Sequence, residues 1–223
     1  MQSKIELSLE GITAIVLAAG DSTRMNYPKA LLPLGDATFL THILEILDRL
    51  GFAEPCVVLG RDAARVRPVI AGARIRILIN QAPERGQLSS IQLAISNLGP
   101  ACSACLVWLV DQPAVSELLV GSLVKLFQDT GAPLALPRCG EKMGHPVIFR
   151  RQLFQELLDT PSEQGAKQVV LRHAHQAAIL STGEAGCVED VDTPKDYYLL
   201  TGETLDAALS RRGVESWVRA TTE

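Results

Sequence analysis

The chain lacks any hydrophobic run that is long enough to cross a membrane. Its longest apolar stretches, residues 12–20 and 104–110, fall well short of the roughly 20 residues that a membrane-spanning helix needs. The first residues include Lys4, Glu6 and Glu10, which is not the charge layout of a secretory signal. We therefore expect a cytoplasmic protein that does not bind membranes.

The chain also lacks an excess of positive charge. It has 21 Lys and Arg against 25 Asp and Glu, which gives a formal net charge of −4 at pH 7. A protein that coats nucleic acid or an anionic membrane is usually basic. We therefore expect no nucleic-acid partner, and any anion must be bound at a local site.

Cysteine is scarce, and its five residues form neither a disulfide framework nor two C-x-x-C pairs. Cys102 and Cys105 form one such pair, but a zinc site needs further ligands. A redox pair typically opens a helix after a strand, whereas this pair precedes the apolar run 106–110. We expect reduced thiols that are buried or inert.

Short apolar runs alternate along the chain with segments whose apolar residues recur at helical spacing. This alternation predicts a three-layer α/β sandwich in which helices cover both faces of a mostly parallel sheet. No linker rich in Pro, Gly or Ser divides the chain, so we expect a main domain over residues 1–202 and a helical extension over 203–223 packed on it. The predicted strands are 12–18, 55–60, 75–79, 105–110, 133–137, 145–149 and 177–181. The predicted helices are 38–50, 62–71, 88–98, 116–129, 150–158, 165–173 and 194–201.

Ligands of an open parallel sheet bind beyond the carboxyl ends of its strands. The first predicted strand ends in the small residues Ala18, Ala19 and Gly20, and the cations Arg24 and Lys29 follow. Small residues let backbone N–H groups approach a phosphate closely, and the two side chains add positive charge. The loop therefore predicts phosphate binding, with a solvated loop as the alternative. Neither a Walker A motif nor G-x-G-x-x-G is present.

The loop after the third predicted strand, residues 80–90, is rich in amide and hydroxyl groups. Such groups can donate to and accept from the edge of a nucleotide base. The same segment runs into a predicted helix. Taken alone, it is therefore better interpreted as a helix start capped by Ser89 or Gln87.

Two carboxylates follow other apolar runs. Asp111 ends the fourth predicted strand, where it is well placed to hold Mg²⁺ against a nucleotide phosphate. It could instead cap the next helix, but Pro113 and Ser116 already mark that start. The segment 190–194, before the predicted helix 194–201, offers a second carboxylate from Asp190 or Asp192. By itself this carboxylate would be an ordinary cap, and paired with Asp111 it could complete a metal site.

The histidines give a weaker signal. His145 lies between Gly and Pro before a short predicted strand, and a turn position is a better expectation than contact with a substrate. His42, His173 and His175 lie in helix-like segments without partners at metal-ligand spacing, so we expect surface or core roles for them.

Six segments together resemble a known family. They are "LAAGDSTRMNYPKALLPLGDATFL", "GQLSSIQLAI", "VDQPAV", "GHPVIF", "EQGAKQVVL" and "DVDTPKDY", in this order. Across residues 12–200 the chain is similar to the molybdenum cofactor cytidylyltransferases, which are nucleotidyltransferases with a Rossmann-like, glycosyltransferase-A-like fold. The resemblance implies Mg²⁺-dependent transfer of CMP from CTP to the phosphate of molybdopterin, with release of pyrophosphate. A molybdoenzyme that receives the cofactor is an implied partner.

The resemblance also implies roles for individual residues. Arg24, Lys29 and Asp111 would be catalytic, and Asp111 would hold the metal together with Asp192, with Asp190 as the fallback. Ala19 stands where related guanylyltransferases carry Gly, which favours cytosine over guanine. His145, Gly165 and Lys167 would face the acceptor. The nucleotide would be bound by Leu17, Ala18, Ala19, Gly20, Arg24, Lys29, Asn80, Gly86, Ser89 and Ser90.

The chain departs from the family pattern at three of these segments. Gln87 stands where Met is expected, Val110 where many relatives have Gly, and Asn26 where Gly is common. Two alternatives stay open. The chain could be a sugar- or alditol-phosphate nucleotidylyltransferase, or a catalytically silent nucleotide-binding protein that delivers the cofactor to a molybdoenzyme.

Overall fold

The computed structural model describes residues 8–214 and confirms the α/β class. An eight-stranded sheet forms the middle layer, and a separate two-stranded hairpin lies beside it. The strands are β1 (Ile12–Ala18), β2 (Pro33–Leu34), β3 (Ala37–Thr38), β4 (Cys56–Leu59), β5 (Arg76–Ile79), β6 (Ala104–Leu109), β7 (Leu134–Cys139), β8 (Lys142–Met143), β9 (Val147–Arg150) and β10 (Ala178–Thr182). The α-helices are α1 (Phe39–Leu50), α2 (Ala63–Val66), α3 (Gln87–Ser96), α4 (Glu117–Thr130), α5 (Phe154–Asp159), α6 (Lys167–Arg172), α7 (Pro194–Thr201) and α8 (Leu205–Arg211).

The sheet is mostly parallel, as the sequence predicts. Its strand order is β10-β7-β9-β6-β1-β4-β5, and β8 pairs with the outer part of β7. β1 runs parallel to both of its neighbours, β4 and β6, and β4 runs parallel to β5. β9 is antiparallel to β6 and β7, because the short β7–β8–β9 connections leave no room for a crossover helix. The carboxyl ends of the four parallel strands β1, β4, β5 and β6 therefore lie at the same edge of the sheet.

Two hydrophobic clusters fill the spaces between the layers, one on each face of the sheet. β1 shows the division, because Ala14 and Val16 belong to one cluster while Ile15 and Leu17 belong to the other. The first cluster includes apolar residues of α1 and α4, and the second includes residues of α3, α5 and α6. Successive side chains of a strand point to opposite faces, so a strand buried on both faces reads as a continuous apolar run.

Several predicted helices are shorter in the structure. The segment predicted as a helix over 62–71 divides into α2 and a 3-10 helix, Arg67–Ile70, because Pro68 has no N–H to continue the α-helical bonding. The predicted helix 150–158 likewise begins as a 3-10 turn, Arg151–Leu153, before α5. The β2–β3 hairpin and β8 were not among the predicted strands.

The described part of the C-terminal extension packs on the main body. Leu205, Ala208 and Leu209 of α8 are buried in the first cluster. The guanidinium of Arg212 donates to the backbone carbonyl oxygens of Gly35 and Ala37, at 2.8 and 2.6 Å. Trp217, part of the predicted apolar stripe, lies outside the described residues. Between residues 8 and 214, the helices are all too short or too polar to span a bilayer.

Candidate active site

A cavity of about 370 Å³ opens at the edge of the sheet where β1, β4, β5 and β6 end. The loop after β1 contributes many of its lining residues, and the end of β6 and the segment before α7 contribute others. Most of the residues predicted to bind nucleotide or metal come together here. Those that line the cavity are Leu17, Ala18, Ala19, Gly20, Arg24, Lys29, Gly86, Ser90, Asp111 and Asp192.

Lys29 lies at the centre of the charged groups in the cavity. Its ammonium donates to Asp111 Oδ2 at 2.8 Å and also to Asp192 Oδ1. Arg24 donates to the other oxygen of Asp192, Oδ2, at 2.6 Å. The two carboxylates that the sequence places on separate loops therefore converge on one ammonium group, and two cations face Asp192.

Burial and pairing act on these groups in opposite directions. Burial lowers the pKa of Lys29, but Asp111 and Asp192 together outweigh it, so its pKa is raised and the ammonium stays charged. Burial raises the pKa of Asp111 above its usual range, and Lys29 offsets only part of this effect. Burial also raises the pKa of Asp192, but Lys29 and Arg24 together lower it below its usual value. Asp192 is thus the more firmly ionised carboxylate.

The loop after β1 is stabilised by a hydrogen bond between its own residues. Ser22, with φ 48°, accepts the backbone N–H of Lys29 on its Oγ at 3.1 Å. Asn26, with φ 53°, also adopts the left-handed region, which Asn tolerates better than most residues other than Gly. Asn26, which stands where Gly is common in the family, can therefore adopt the backbone conformation that this loop needs.

Gly60, which follows β4, lets the loop approach closely. A Cβ atom on Gly60 would lie 2.4 Å from the carbonyl oxygen of Ala19 and 3.0 Å from its Cα. Such contacts are too short for real atoms, so any larger residue at position 60 would displace Ala19. This contact is not predictable from the sequence, since a glycine after a strand is a common turn signal.

The amide and hydroxyl groups near the start of α3 form a buried cluster. The side-chain amide of Asn80 donates to Ser89 Oγ at 2.8 Å and to Ser90 Oγ at 2.9 Å. Ser89 donates in turn to the carbonyl oxygen of Gly86 at 2.7 Å. Gly86 is the N-cap of α3 and makes no side-chain cap bond, so the capping interpretation of Ser89 and Gln87 is wrong. Asn80 and Ser89 support Ser90 from behind the cavity wall.

The alternative roles of the two carboxylates as helix caps are also wrong. Ser116 caps α4, because its Oγ accepts the backbone N–H of Leu119 at 3.1 Å. Thr193 caps α7 in a capping box with Asp196. The side chains of Asp111 and Asp192 therefore cap neither helix. Both accept hydrogen bonds from Lys29 instead.

The residues predicted to face the acceptor lie outside the cavity lining. The 3-10 helix Ser162–Gln164 ends at Gly165, and the carbonyl oxygen of Ser162 lies 3.7 Å from the Cβ position of Gly86. Gly165 therefore lies on the α3 side of the site, and Lys167 is exposed at the start of α6. Gln92 holds this loop by donating to three carbonyl oxygens, those of Leu157, Leu158 and Thr160.

His145 lies on the β6 side, near the segment before α7. Its backbone N–H donates to the carbonyl oxygen of Cys187 at 2.8 Å. Burial lowers the pKa of the His145 imidazole to about 4, against a smaller opposing effect of Asp190. The ring is therefore neutral at physiological pH and can act as a hydrogen-bond donor or acceptor.

The five cysteines are free thiols, and four of them are buried, as expected. Burial raises the pKa of Cys56 to about 11 and raises that of Cys105 as well. Thiols in this state are poor nucleophiles and poor metal ligands. Among residues 8–214, moreover, no three His, Cys, Asp or Glu side chains cluster closely enough to hold a metal by themselves.

The pair formed by Asp111 and Asp192 nevertheless fits a divalent cation that arrives with a substrate. Its carboxylates converge on one positive charge, which is the arrangement that a hard cation requires. Mg²⁺ is usually bound through one or two carboxylates, with water and substrate phosphates completing its coordination. Asp190 directs its carboxylate to Gln112 instead, at 2.8 Å.

Sequence reasoning missed part of the cavity lining. Asp62 and Val66, which are not among the predicted site residues, contribute from the segment after β4. The position of Asp62 directly after a predicted parallel strand is a signal that could have identified it. Val66 gives no such signal, since an apolar helical residue is usually assigned to the core.

Comparisons with known proteins identify the family of the chain. Nicotine blue oxidoreductase of Paenarthrobacter nicotinovorans is 30% identical over 203 residues, which cover 87% of this chain and 98% of that protein. The bifunctional protein GlmU of Gloeobacter violaceus is 36% identical over 142 residues, but these cover only 31% of its length.

The crystal structure of Rv0371c from Mycobacterium tuberculosis H37Rv is 32% identical and has a TM-score of 0.74, covering 86% of this chain and 97% of that one. Rv0371c has also been solved in complex with manganese, with a TM-score of 0.71 to this chain. Residues 14–177 match the MobA-like NTP transferase domain. The expected nucleotidyltransferase fold is therefore confirmed, and the chain belongs to the family of MobA-like NTP transferases.

Proposed function

We propose that the protein transfers CMP from CTP to the phosphate of molybdopterin and releases pyrophosphate. The observation that carries this proposal is the convergence of Asp111 and Asp192 on Lys29, beside a loop of small residues and Arg24. This arrangement offers two carboxylates for a metal and two cations for a triphosphate within one cavity. Positioning and charge stabilisation of this kind account for most of the catalysis of phosphoryl transfer.

The reaction needs little covalent chemistry from the protein. A phosphate oxygen of the acceptor forms a bond to the α-phosphorus of CTP while the bond from that phosphorus to the bridging oxygen breaks. The electron pair of the broken bond leaves with pyrophosphate. Because the acceptor phosphate is already an anion at neutral pH, no general base is required to remove a proton from it.

The side chains of the cavity have separate tasks in this proposal. Lys29 and Arg24 would stabilise the negative charge that develops on the departing pyrophosphate. Asp111 and Asp192 would hold Mg²⁺, which supplies positive charge next to the reacting phosphates when it is bound. In the free protein, Lys29 and Arg24 pair with these same carboxylates, so a bound triphosphate would give the two cations new partners.

The base preference rests on residues beside the cavity wall. Ala19 is buried and its backbone is held against Gly60, so the position of its methyl group is fixed. Guanine is larger than cytosine, and the methyl group takes space that a Gly would leave open. Ser90, which lines the cavity and accepts from the Asn80 amide behind it, is the polar group proposed to meet the cytosine edge.

The decisive experiment is pyrophosphate release with each of the four NTPs, with purified molybdopterin as acceptor and Mg²⁺ present. We expect release with CTP well above the other three. Release only with sugar 1-phosphates or alditol phosphates in place of molybdopterin would favour the corresponding nucleotidylyltransferase. Binding of CTP without pyrophosphate release in any combination would favour a silent protein that delivers cofactor to a molybdoenzyme.

A second candidate function follows from nicotine blue oxidoreductase, which matches this chain over nearly its whole length. An oxidoreductase on this fold would use the same cavity for a dinucleotide, because the loop after β1 suits a diphosphate as well as a triphosphate. A change in the absorbance of nicotine blue with a reduced dinucleotide, and no pyrophosphate release with any NTP, would favour this candidate.

A further inference from the structure

Asp111 and Asp192 are distant in sequence, so the segment before α7 must be held firmly against the end of β6 if their carboxylates are to share one cation. Lys29 cannot supply this attachment alone, because it must be able to turn toward a bound phosphate. The neighbours of the two carboxylates in sequence make two further contacts between the same segments.

The first contact is between backbones. The N–H of Val191 donates to the carbonyl oxygen of Asp111 at 2.8 Å. The second is between side chains, since the amide of Gln112 donates from Nε2 to Asp190 Oδ1 at 2.8 Å. The two contacts involve consecutive residues in each segment. They therefore fix both the orientation of the segment that carries Asp192 and its distance from the end of β6.

Gln112 is a rigid anchor for the side-chain contact. It is 3% exposed, and its backbone carbonyl accepts the indole N–H of Trp108 at 3.1 Å. Asp190, in contrast, is exposed and would be fully hydrated without this partner. If Asp190 moved away, the buried Gln112 amide would lose its acceptor, which is unfavourable. The hydrogen bond therefore favours the position in which the segment before α7 lies against the end of β6.

We propose that Gln112 and Asp190 are positioning residues that hold Asp192 opposite Asp111, and that Asp190 acts through this hydrogen bond. This inference rests on the proposed function and deepens it. It assigns Asp190 this positioning role in place of the fallback role of metal ligand, since its Oδ1 accepts from Gln112. Supporting hydrogen bonds of this kind typically change metal affinity by about 10- to 100-fold when they are removed.

The test compares Asp190→Ala, Asp190→Asn, Gln112→Ala and the double Ala variant. Each is measured for Mn²⁺ affinity by electron paramagnetic resonance in the presence of a non-hydrolysable CTP analogue. Asn keeps an oxygen that accepts from Gln112, while it removes the charge. Asp36→Ala, at the exposed turn between β2 and β3, is the matched control.

We expect Asp190→Ala and Gln112→Ala to weaken Mn²⁺ binding by about 10-fold or more, and the double variant to lose little beyond either single change. Asp190→Asn and Asp36→Ala should stay within about twofold of wild type. An Asp190→Asn loss as large as that of Asp190→Ala would overturn the inference, because the charge would then be required.

The failure of this inference can be told from the failure of the proposed function. Wild-type protein that binds neither Mn²⁺ nor the CTP analogue overturns both. Wild-type binding with all variants unaffected overturns the inference alone. Asp190 is exposed, so its two variants retain the fold even if Gln112→Ala does not, and thermal unfolding identifies that case.

Discussion

Gly60→Ala is the perturbation whose effect follows most directly from the structure. The added Cβ would lie 2.4 Å from the carbonyl oxygen of Ala19, and contacts under 3.0 Å are not tolerated. Ala19 must therefore retreat by at least about 0.6 Å, since β4 and β1 are paired in the sheet and Gly60 itself cannot move far. The backbone of Gly60 is not in the left-handed region, so steric overlap alone causes the effect.

Overlap of this kind costs about 1–3 kcal/mol of the free energy of unfolding. In a chain of 223 residues this corresponds to a decrease in Tm of about 2–12 °C. A displacement of about 1 Å in a substrate-binding group can cost about 100-fold in rate. We therefore expect the affinity for CTP or kcat/KM to fall by about 10-fold or more.

Isothermal titration of CTP and thermal unfolding measure both effects on the same protein samples. Gly99→Ala is the matched control, because no heavy atom lies within 4 Å of the Cβ position of Gly99. Unchanged Tm and unchanged CTP affinity in Gly60→Ala would refute the assignment of Gly60 as the residue that sets the position of Ala19.

Other perturbations test the charged groups. Lys29→Ala should lower the rate of pyrophosphate release by about 100-fold or more, whereas Lys125→Ala, at an exposed ion pair on α4, should not. In Lys29→Ala, Asp111 and Asp192 lose the ammonium group that they share, so added Mn²⁺ should raise the Tm of this variant more than that of wild type. An equal rise in both proteins would contradict the convergence of the two carboxylates on one cation. His145 is neutral in the folded protein down to pH about 4, while an unfolded His takes up a proton near pH 6.5. The free energy of unfolding should therefore decrease as the pH is lowered from 6.5 to 4, by at most about 3 kcal/mol. His145→Gln should reduce this pH dependence, whereas His175→Gln, at an exposed position, should not. Ala19→Gly should raise turnover with GTP relative to CTP, and an unchanged ratio would remove Ala19 from base selection.

Much of the fold follows from the sequence because its central strands are buried on both faces. The sequence predicts β1 with its observed bounds, Ile12–Ala18, since a run that is apolar at every position except Thr13 leaves few alternatives. The antiparallel direction of β9 did not follow from the pattern, because apolar residues alternate in the same way in either direction. The length of the connections would have indicated it, since too few residues separate β7 from β9 for a crossover.

The candidate site was predictable where chemistry-bearing side chains follow strands. The position of Asp111 after an apolar run predicts its role, and a second carboxylate from the segment 190–194 is predicted only in combination with it. The choice of Asp192 over Asp190 comes from the family resemblance. The shared contact with Lys29 was not predictable, because the sequence places Lys29 on a different loop and suggests a phosphate as its partner. Contacts through space between loops leave no periodic signal.

Gly60 and Gln112 illustrate what sequence patterns cannot give. Gly60 matters because it has no Cβ atom, and the effect of adding one depends on a carbonyl oxygen of the loop after β1. Gln112 lies next to Asp111, yet its side chain points to the segment before α7. Both roles depend on the distance between segments that the fold alone brings together.

The proposed function requires that Asp111 and Asp192 form the metal-holding pair of a nucleotidyltransferase. Its most direct test is pyrophosphate release from CTP, with molybdopterin and Mg²⁺, by wild type and by Asp111→Ala with its fold confirmed by thermal unfolding. We predict turnover by wild type and a loss of at least about 100-fold in Asp111→Ala. Turnover by Asp111→Ala near the wild-type rate would contradict the account.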